Sequence, residues 1–152
     1  MFDSPDTPSP RQIWLGLLAR ASREQLSQLL ENAPPLPDFE RLRGPECGMA
    51  MIRGRMGGSG APFNLGEMTL TRCSVRDDSG RVGHGYAAGH DLEQVELIAR
   101  LDAVLQDETL FDAYDRAVLK PLAQAQTVRR AETEARAKAT EVKFFTLATM
   151  RS

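Results

Sequence analysis

The sequence predicts a single α+β domain, with short helices at the N-terminus, an antiparallel sheet of about four strands, and C-terminal helices followed by an extended tail. Three observations support this. Apolar residues recur at helical spacing towards both ends of the chain, period-two alternation occupies the middle, and an Asp-Asp-Ser-Gly turn separates two alternating segments. With 152 residues, 41% of them apolar, the chain is long enough to bury its own core.

Composition divides the chain into three regions. Residues 1–8 are rich in Pro, Asp and Ser and are predicted to be loose. Residues 9–141 are predicted to form the α+β domain, and residues 142–152 an apolar C-terminal tail that is a candidate docking segment. The candidate docking residues in the tail are Val142, Phe144, Phe145 and Leu147.

Two capping signatures predict two short N-terminal helices. Ser9 can cap the first, Pro10 suits its first helical position, and the glutamine at position 12 completes a capping box. Ser22 repeats the pattern, so we expect a break near Ala21 and a second helix. The Pro-Pro-Leu-Pro run at 34–37 ends that helix, because proline lacks the amide donor that a helix needs.

The middle of the chain is typical of antiparallel strands. In the segment after position 47, Met49, Met51 and Arg53 lie on one face, and Ala50 and Ile52 on the other. The Asp-Asp-Ser-Gly turn joins the last two segments, which predicts a hairpin. The four predicted strands are Phe39 to Arg43, Gly48 to Arg55, Met68 to Arg76 and Arg81 to Ala88.

Helical periodicity returns after the sheet. Asp91 is expected to cap a helix, with Gln94 at the capping-box position. A further helix is expected from Leu110 to Leu119, stopping at Pro121. Residues 122–140 favour helix but carry little apolar stripe, so this last helix is expected to lie exposed or along a partner.

Charge and cysteine content exclude several classes of protein. Nineteen basic residues face twenty-one acidic ones, and the net charge of −2 gives no long-range attraction to nucleic acid or to an anionic membrane. The N-terminus lacks a signal peptide's pattern, and the apolar runs are too short to span a bilayer. Two cysteines without a secretory context favour a reducing compartment. We therefore expect a cytoplasmic protein.

The most unusual segment is a glycine-rich run between two predicted strands. Its glycines allow close approach of the backbone to a ligand, its amides can form an anion nest, and an arginine on each side can bind a phosphate. A flexible connection between strands explains the glycines as well, and this alternative stays open. The candidate substrate-binding residues are Arg55, Gly57, Gly58, Ser59, Gly60 and Arg72.

No metal site and no catalytic residue can be assigned from spacing. His84 and His90 are expected near one edge of the sheet, but neither has a second histidine or a cysteine at metal-ligand spacing. A structural role is therefore favoured for both. The chain lacks the acid–base and metal inventory of a self-sufficient enzyme.

Residues 55–73, RMGGSGAPFNLGEMTLTRC, resemble the PhnG family, which carries an RMGG(S/T)G stretch followed by F-N-L-G-E and T-x-T-R. The segments that begin at Tyr86, Leu101 and Val142 are similar to the family's Y-x-x-G-R-D, L-x-D-A-L and V-x-F-F-T. The resemblance covers nearly the whole chain.

Two positions depart from the family pattern. His90 stands where the family usually has Arg, and Gln94 where it often has His. If the family residues contact substrate phosphates, that contact is weakened or replaced in this chain.

The resemblance implies a transferase subunit that is inactive alone and serves organophosphonate degradation under phosphate limitation. In the implied reaction, a phosphonate displaces adenine from ribose C1′ of MgATP, so MgATP is a substrate of the complex and the chain has no cofactor of its own. The implied partners are PhnI, PhnH, PhnJ and PhnL-like subunits, with no nucleic acid and no membrane.

Two other functions stay open at this point. One is a non-catalytic scaffold of the carbon–phosphorus lyase core complex, and the other is a free-standing phosphate-binding domain. An isolated copy is also expected to be able to self-associate, because its apolar tail would lack a partner.

Overall fold

The computed structural model describes residues 7–142, and the three strands in this range form one antiparallel sheet in the order β1-β2-β3. A 3-10 turn (Met56–Gly58) joins the first two strands, and a π-helical turn (Asp115–Leu119) joins the last two helices. In chain order the other elements are α1 (Pro10–Ala19), α2 (Arg23–Leu30), β1 (Phe39–Arg55), β2 (Pro62–Asp77), β3 (Val82–Ala88), α3 (Leu92–Val104), α4 (Glu108–Tyr114) and α5 (Lys120–Ala139).

The two N-terminal helices begin where their capping signatures predicted. The Ser9 and Ser22 hydroxyls accept hydrogen bonds from the amides of Gln12 and Gln25, and both glutamine side chains accept the serine amides in return. Both capping boxes are therefore complete. The predicted break near Ala21 is confirmed.

The sheet has three strands in the described range rather than the four predicted, because the first two predicted segments belong to one strand. β1 runs without a break through Pro45. Proline cannot donate to a ladder, but the register shifts on both sides of Arg43, and β1 lies at the edge of the sheet. Bulges at an edge strand accommodate a proline in this way.

The hairpin between β2 and β3 is confirmed. The Gly80 amide donates to the Asp77 carbonyl at 3.0 Å, and Gly80 has a φ of 85°. A residue with a side chain rarely adopts that φ, so the glycine allows the turn.

Helix α3 covers one face of the sheet and carries the core. Asp91 caps it by accepting the Glu93 and Gln94 amides, as predicted. The Gln94 side chain does not complete a capping box but donates to the Ala21 carbonyl at 2.6 Å. The buried residues of α3 are Val95, Ile98, Ala99, Leu101, Asp102, Ala103 and Val104.

The prediction that a helix stops at Pro121 is wrong. Helix α4 begins at Glu108 and passes through the π-helical turn directly into α5, where Pro121 lies in the first turn. The wider π turn leaves room for the proline ring, which in a regular helix would clash with a carbonyl one turn back.

The last helix is largely exposed, as its sequence pattern predicted. Leu122 is its buried residue, while Val128 is 58% exposed. None of the helices between residues 7 and 142 is long and apolar enough to cross a membrane.

A fully buried carboxylate ties helix α1 to the sheet and to α3. Asp102 accepts two hydrogen bonds from the Arg11 guanidinium (2.6 and 3.1 Å), one from the Trp14 indole (2.9 Å) and one from the His84 amide (2.9 Å). Four donors satisfy both carboxylate oxygens, which is the condition for burying a charge.

Candidate functional site

The first two strands extend well beyond the third. β3 pairs with β2 only from Leu70 to Arg76, and beyond Leu70 the first two strands continue as a two-stranded ribbon. We call residues 48–70 the arm and residues 56–61 its tip. From Gly48 to Arg55 the ribbon is about 23 Å long at the usual rise of a strand.

The outer face of the arm, turned away from α3, is uncharged. Thr71 and Cys73 are buried on the helix side of β2, so Leu70 and Met68 lie on the opposite face because side chains alternate along a strand. Cross-strand pairing adds residues of β1, and Gly54 faces the Phe63 ring and Leu65. The apolar residues of this outer face are Ala50, Ile52, Phe63, Leu65, Met68 and Leu70.

The inner face of the arm combines methionines with arginines. Met49 and Met51 are 74% and 60% exposed, since α3 does not reach them. Arg53 and Arg55 follow on the same face, nearer the tip. The predicted assignment of alternate residues to two faces is confirmed, and no other residue between 7 and 142 covers either face.

The glycines shape the tip. Gly57 and Gly58 have φ values of 62° and 79°, which favour glycine, and the Gly60 amide donates to the Met56 carbonyl at 3.0 Å. That amide is therefore used within the tip rather than pointing at a ligand. Arg55, beside the tip, makes no ion pair with any residue of the described chain.

Arg72 does not flank the tip. The strand partner of Arg55 is Pro62, and Arg72 lies ten positions further along β2, a distance of about 33 Å in extended chain. The Arg72 guanidinium instead pairs with Glu46 at 2.7 Å. Arg55 and Arg72 therefore cannot hold one phosphate within a single copy of the chain.

The two histidines lie at opposite ends of β3. The His84 Nδ1 atom is 2.9 Å from the Ser74 hydroxyl near the hairpin. His90 follows the other end of the strand, in a shallow groove beside Arg23 and Asp91. They form no joint site, and no cluster of three metal-ligating side chains occurs among the residues that the structure describes.

The buried thiol of Cys73 is a structural group. Burial raises its pKa, and the nearby Glu96 carboxylate raises it further. A thiol with a raised pKa is a poor nucleophile. Burial also raises the pKa of Glu96, but hydrogen bonds from Arg41 and Arg100 outweigh it and leave that pKa below its ordinary value.

The predicted C-terminal docking segment lies almost entirely outside the described residues. Val142, the last of them, is 70% exposed. Phe144, Phe145 and Leu147 are beyond residue 142, so their docking role stays a prediction.

An exposed arm of this kind is typical of a protein that acts through contacts with a partner. Comparison with known proteins agrees with this class. Residues 9–150 match the family described as phosphonate metabolism protein PhnG. Over 142 residues the chain is 40% identical to the alpha-D-ribose 1-methylphosphonate 5-triphosphate synthase subunit PhnG of Rhizobium meliloti (strain 1021), covering 90% of this chain and 87% of that protein. The chain belongs to the PhnG family.

Proposed function

We propose that this chain is a non-autonomous subunit of the transferase that moves a phosphonate onto ribose C1′ of MgATP. The observation that carries this proposal is the 40% identity, along 90% of the chain, to a protein named as a subunit of ribose 1-methylphosphonate 5-triphosphate synthase. The proposed partners are PhnI, PhnH, PhnJ and PhnL-like subunits, in the cytoplasm. MgATP and the phosphonate are substrates of the complex.

In the proposed reaction a phosphonate oxygen forms a bond to ribose C1′ while the bond from C1′ to adenine breaks. The protein's task is to hold an anion in line with C1′ and to favour it over water, which is a matter of positioning. Arg55 suits this task because its guanidinium is exposed and unpaired among the described residues. A guanidinium can bind two anion oxygens at once. We propose that Arg55, at the base of the tip, orients a phosphonate or triphosphate group.

The test is transfer in a reconstituted complex that contains this chain, its proposed partners, MgATP and methylphosphonate. Arg55→Ala should lower formation of ribose 1-methylphosphonate 5-triphosphate by roughly tenfold to a hundredfold, the loss expected for a hydrogen bond to a charged group. Wild-type transfer by a folded Arg55→Ala protein would contradict the role of the tip.

Two controls separate this role from a general effect of charge. Arg116→Ala removes an exposed arginine far from the arm, on the helical side of the domain. Arg72→Ala removes the arginine that the sequence placed beside the tip and that instead pairs with Glu46. Both variants should transfer at the wild-type rate.

A scaffold without substrate contact is the second candidate function, and the exposed arm favours it as much as it favours a substrate-contacting role. Under this alternative, Arg55→Ala leaves transfer unchanged, and the complex makes the product without the chain once its other subunits are assembled.

A further inference from the structure

We propose that the arm is a docking element that enters a cleft in another subunit of the synthase complex. Its uncharged outer face lies on an apolar floor of that cleft, carboxylates at the rim meet Arg53, and Arg55, nearer the tip, stays available to the substrate anion. This inference rests on the proposed function, and it names the surface through which the subunit is held.

The residues that the structure describes support the arm too little for it to count as part of the core. A two-stranded ribbon is marginally stable in water unless something packs against it. On the outer face of the arm, Ile52, Phe63 and Leu65 are 38%, 42% and 65% exposed. A contiguous exposed apolar surface marks an interaction site in a soluble protein.

The polarity of the outer sheet face changes where β3 ends. On the hairpin side, this face carries the ion pairs Arg72–Glu46 and Arg76–Glu40 and the contact between Ser74 and His84. On the arm side, the same face is uncharged. The hairpin side of this face is therefore suited to contact with water and the arm side to contact with a partner protein, although both sides belong to the same two strands.

The edge of β1 is protected only in the half that lies beside the body. Pro45 and the bulges next to it interrupt the edge there, as edge strands commonly do to avoid pairing. From Glu46 to Ile52 the ladder is regular, and no proline or lysine guards its outer side. This stretch offers backbone groups to a strand of the partner, a common mode of protein recognition.

Charge favours a different subunit over a second copy of this chain. Within the described range, Arg53 and Arg55 have no carboxylate partner. The arm carries two arginines and one carboxylate, that of Glu67, so a two-fold contact between two arms would bring like net charges together, whereas another protein can supply carboxylates.

The experiment is retention of the proposed partner subunits on the tagged full-length chain after co-expression. Phe63→Ser with Leu65→Ser should reduce retained partner at least tenfold, because large buried side chains at the centre of an interface supply much of its affinity. The control is Ile13→Ser with Val128→Ser, since these residues are 54% and 58% exposed but lie on helices away from the arm. Equal retention by both double variants would overturn the proposal.

Two further measurements keep the result unambiguous. Amide hydrogen exchange at residues 48–55 should slow at least tenfold in the complex relative to the free chain, and unchanged exchange would overturn the proposal even if the double variant misfolded. Light scattering should show a free chain whose oligomeric state does not depend on Phe63 and Leu65. A dimer lost in the double variant would assign the arm to a second copy instead.

Partner retention tests the docking role of the arm, and product formation tests the proposed function, so the two can be contradicted independently. Arg55→Ala should leave partner retention unchanged and lower only product formation. If the arm variant retains its partners while omission of the chain abolishes transfer, the docking claim falls and the function stands. If the wild-type chain retains none of the proposed partners, both fall.

Discussion

Asp102 shows how one residue can hold three elements together. Its carboxylate lies fully buried between Arg11 and Trp14 of α1 and the His84 amide of β3. Because the Arg11 guanidinium also donates to the Val82 carbonyl, the same ion pair ties α1 to the sheet. The aspartate belongs to the segment that resembles the family's L-x-D-A-L, and here its contacts are structural rather than catalytic.

Asp102→Asn should destabilise the domain by about 3 kcal/mol, since removing one partner of a buried ion pair leaves the other donors without an acceptor of full charge. Urea unfolding followed by circular dichroism measures the change. The control is Asp112→Asn, which alters an exposed aspartate on α4 and should change the free energy of unfolding by less than about 0.5 kcal/mol. Equal effects of the two substitutions would contradict the account.

Glu96 predicts how stability depends on pH. Its folded pKa is depressed below the ordinary value of 4.5, despite burial, because Arg41 and Arg100 donate to its carboxylate. A depressed carboxyl pKa adds stability above the unfolded pKa, and that stability is lost as the pH falls through the folded pKa. Glu96→Gln should therefore reduce the loss of stability between about pH 5 and pH 3. An identical pH profile for both proteins would refute this.

Residue-scale prediction from sequence succeeded where the contacts are local. Ser9 and Ser22 each cap a helix by accepting the amide three residues further along, and Asp91 caps α3 by accepting the amides two and three positions along. The contacts of Asp102 could not be predicted, because Arg11 is 91 positions away in sequence. Only the fold brings these two residues together.

At the scale of elements, α3 lies in direct backbone contact with β3. Gly83 and Gly85 face the helix, and an added Cβ would overlap the Ala99 carbonyl at the first and the Val95 carbonyl at the second. The absence of side chains lets the helix lie directly on the strand.

Gly85→Ala should push α3 away from β3 and destabilise the domain by roughly 1–3 kcal/mol, the usual cost of overpacking a core. Thermal unfolding tests this. Gly48→Ala is the matched control, because no heavy atom lies within 4 Å of its added Cβ and its φ is not positive. An alanine at position 85 that leaves the unfolding temperature unchanged would contradict the direct contact of helix and strand.

The boundaries of several helices and strands differ from those that the sequence pattern predicts. The rule that proline ends a helix fails at Pro121, because a π-helical turn carries the helix through it. At Pro45, edge bulges keep one strand where the pattern predicts two. The sequence pattern predicts that β2 begins at Met68, but the strand begins at Pro62. A bulge leaves Leu65 without a strand partner and breaks the alternation of side chains. The sequence pattern therefore does not predict the strand that forms the arm.

At the scale of the whole molecule, the domain divides its tasks between a body and an arm. In the body, the helices pack against the sheet around an apolar core, and the buried Asp102 carboxylate is hydrogen-bonded to Arg11 of the same chain. The arm exposes apolar residues and places Arg55 beside a glycine tip. The tip was predictable because its glycines and arginine are adjacent in sequence. The separation of Arg72 from the tip depends on strand register, which the sequence does not show.

The most direct test of the central claim is the transfer assay run with and without this chain. The proposed partner subunits, MgATP and methylphosphonate are kept constant, and ribose 1-methylphosphonate 5-triphosphate is quantified. The account predicts that the product forms only when the chain is present. Equal product in its absence would contradict a role in transfer.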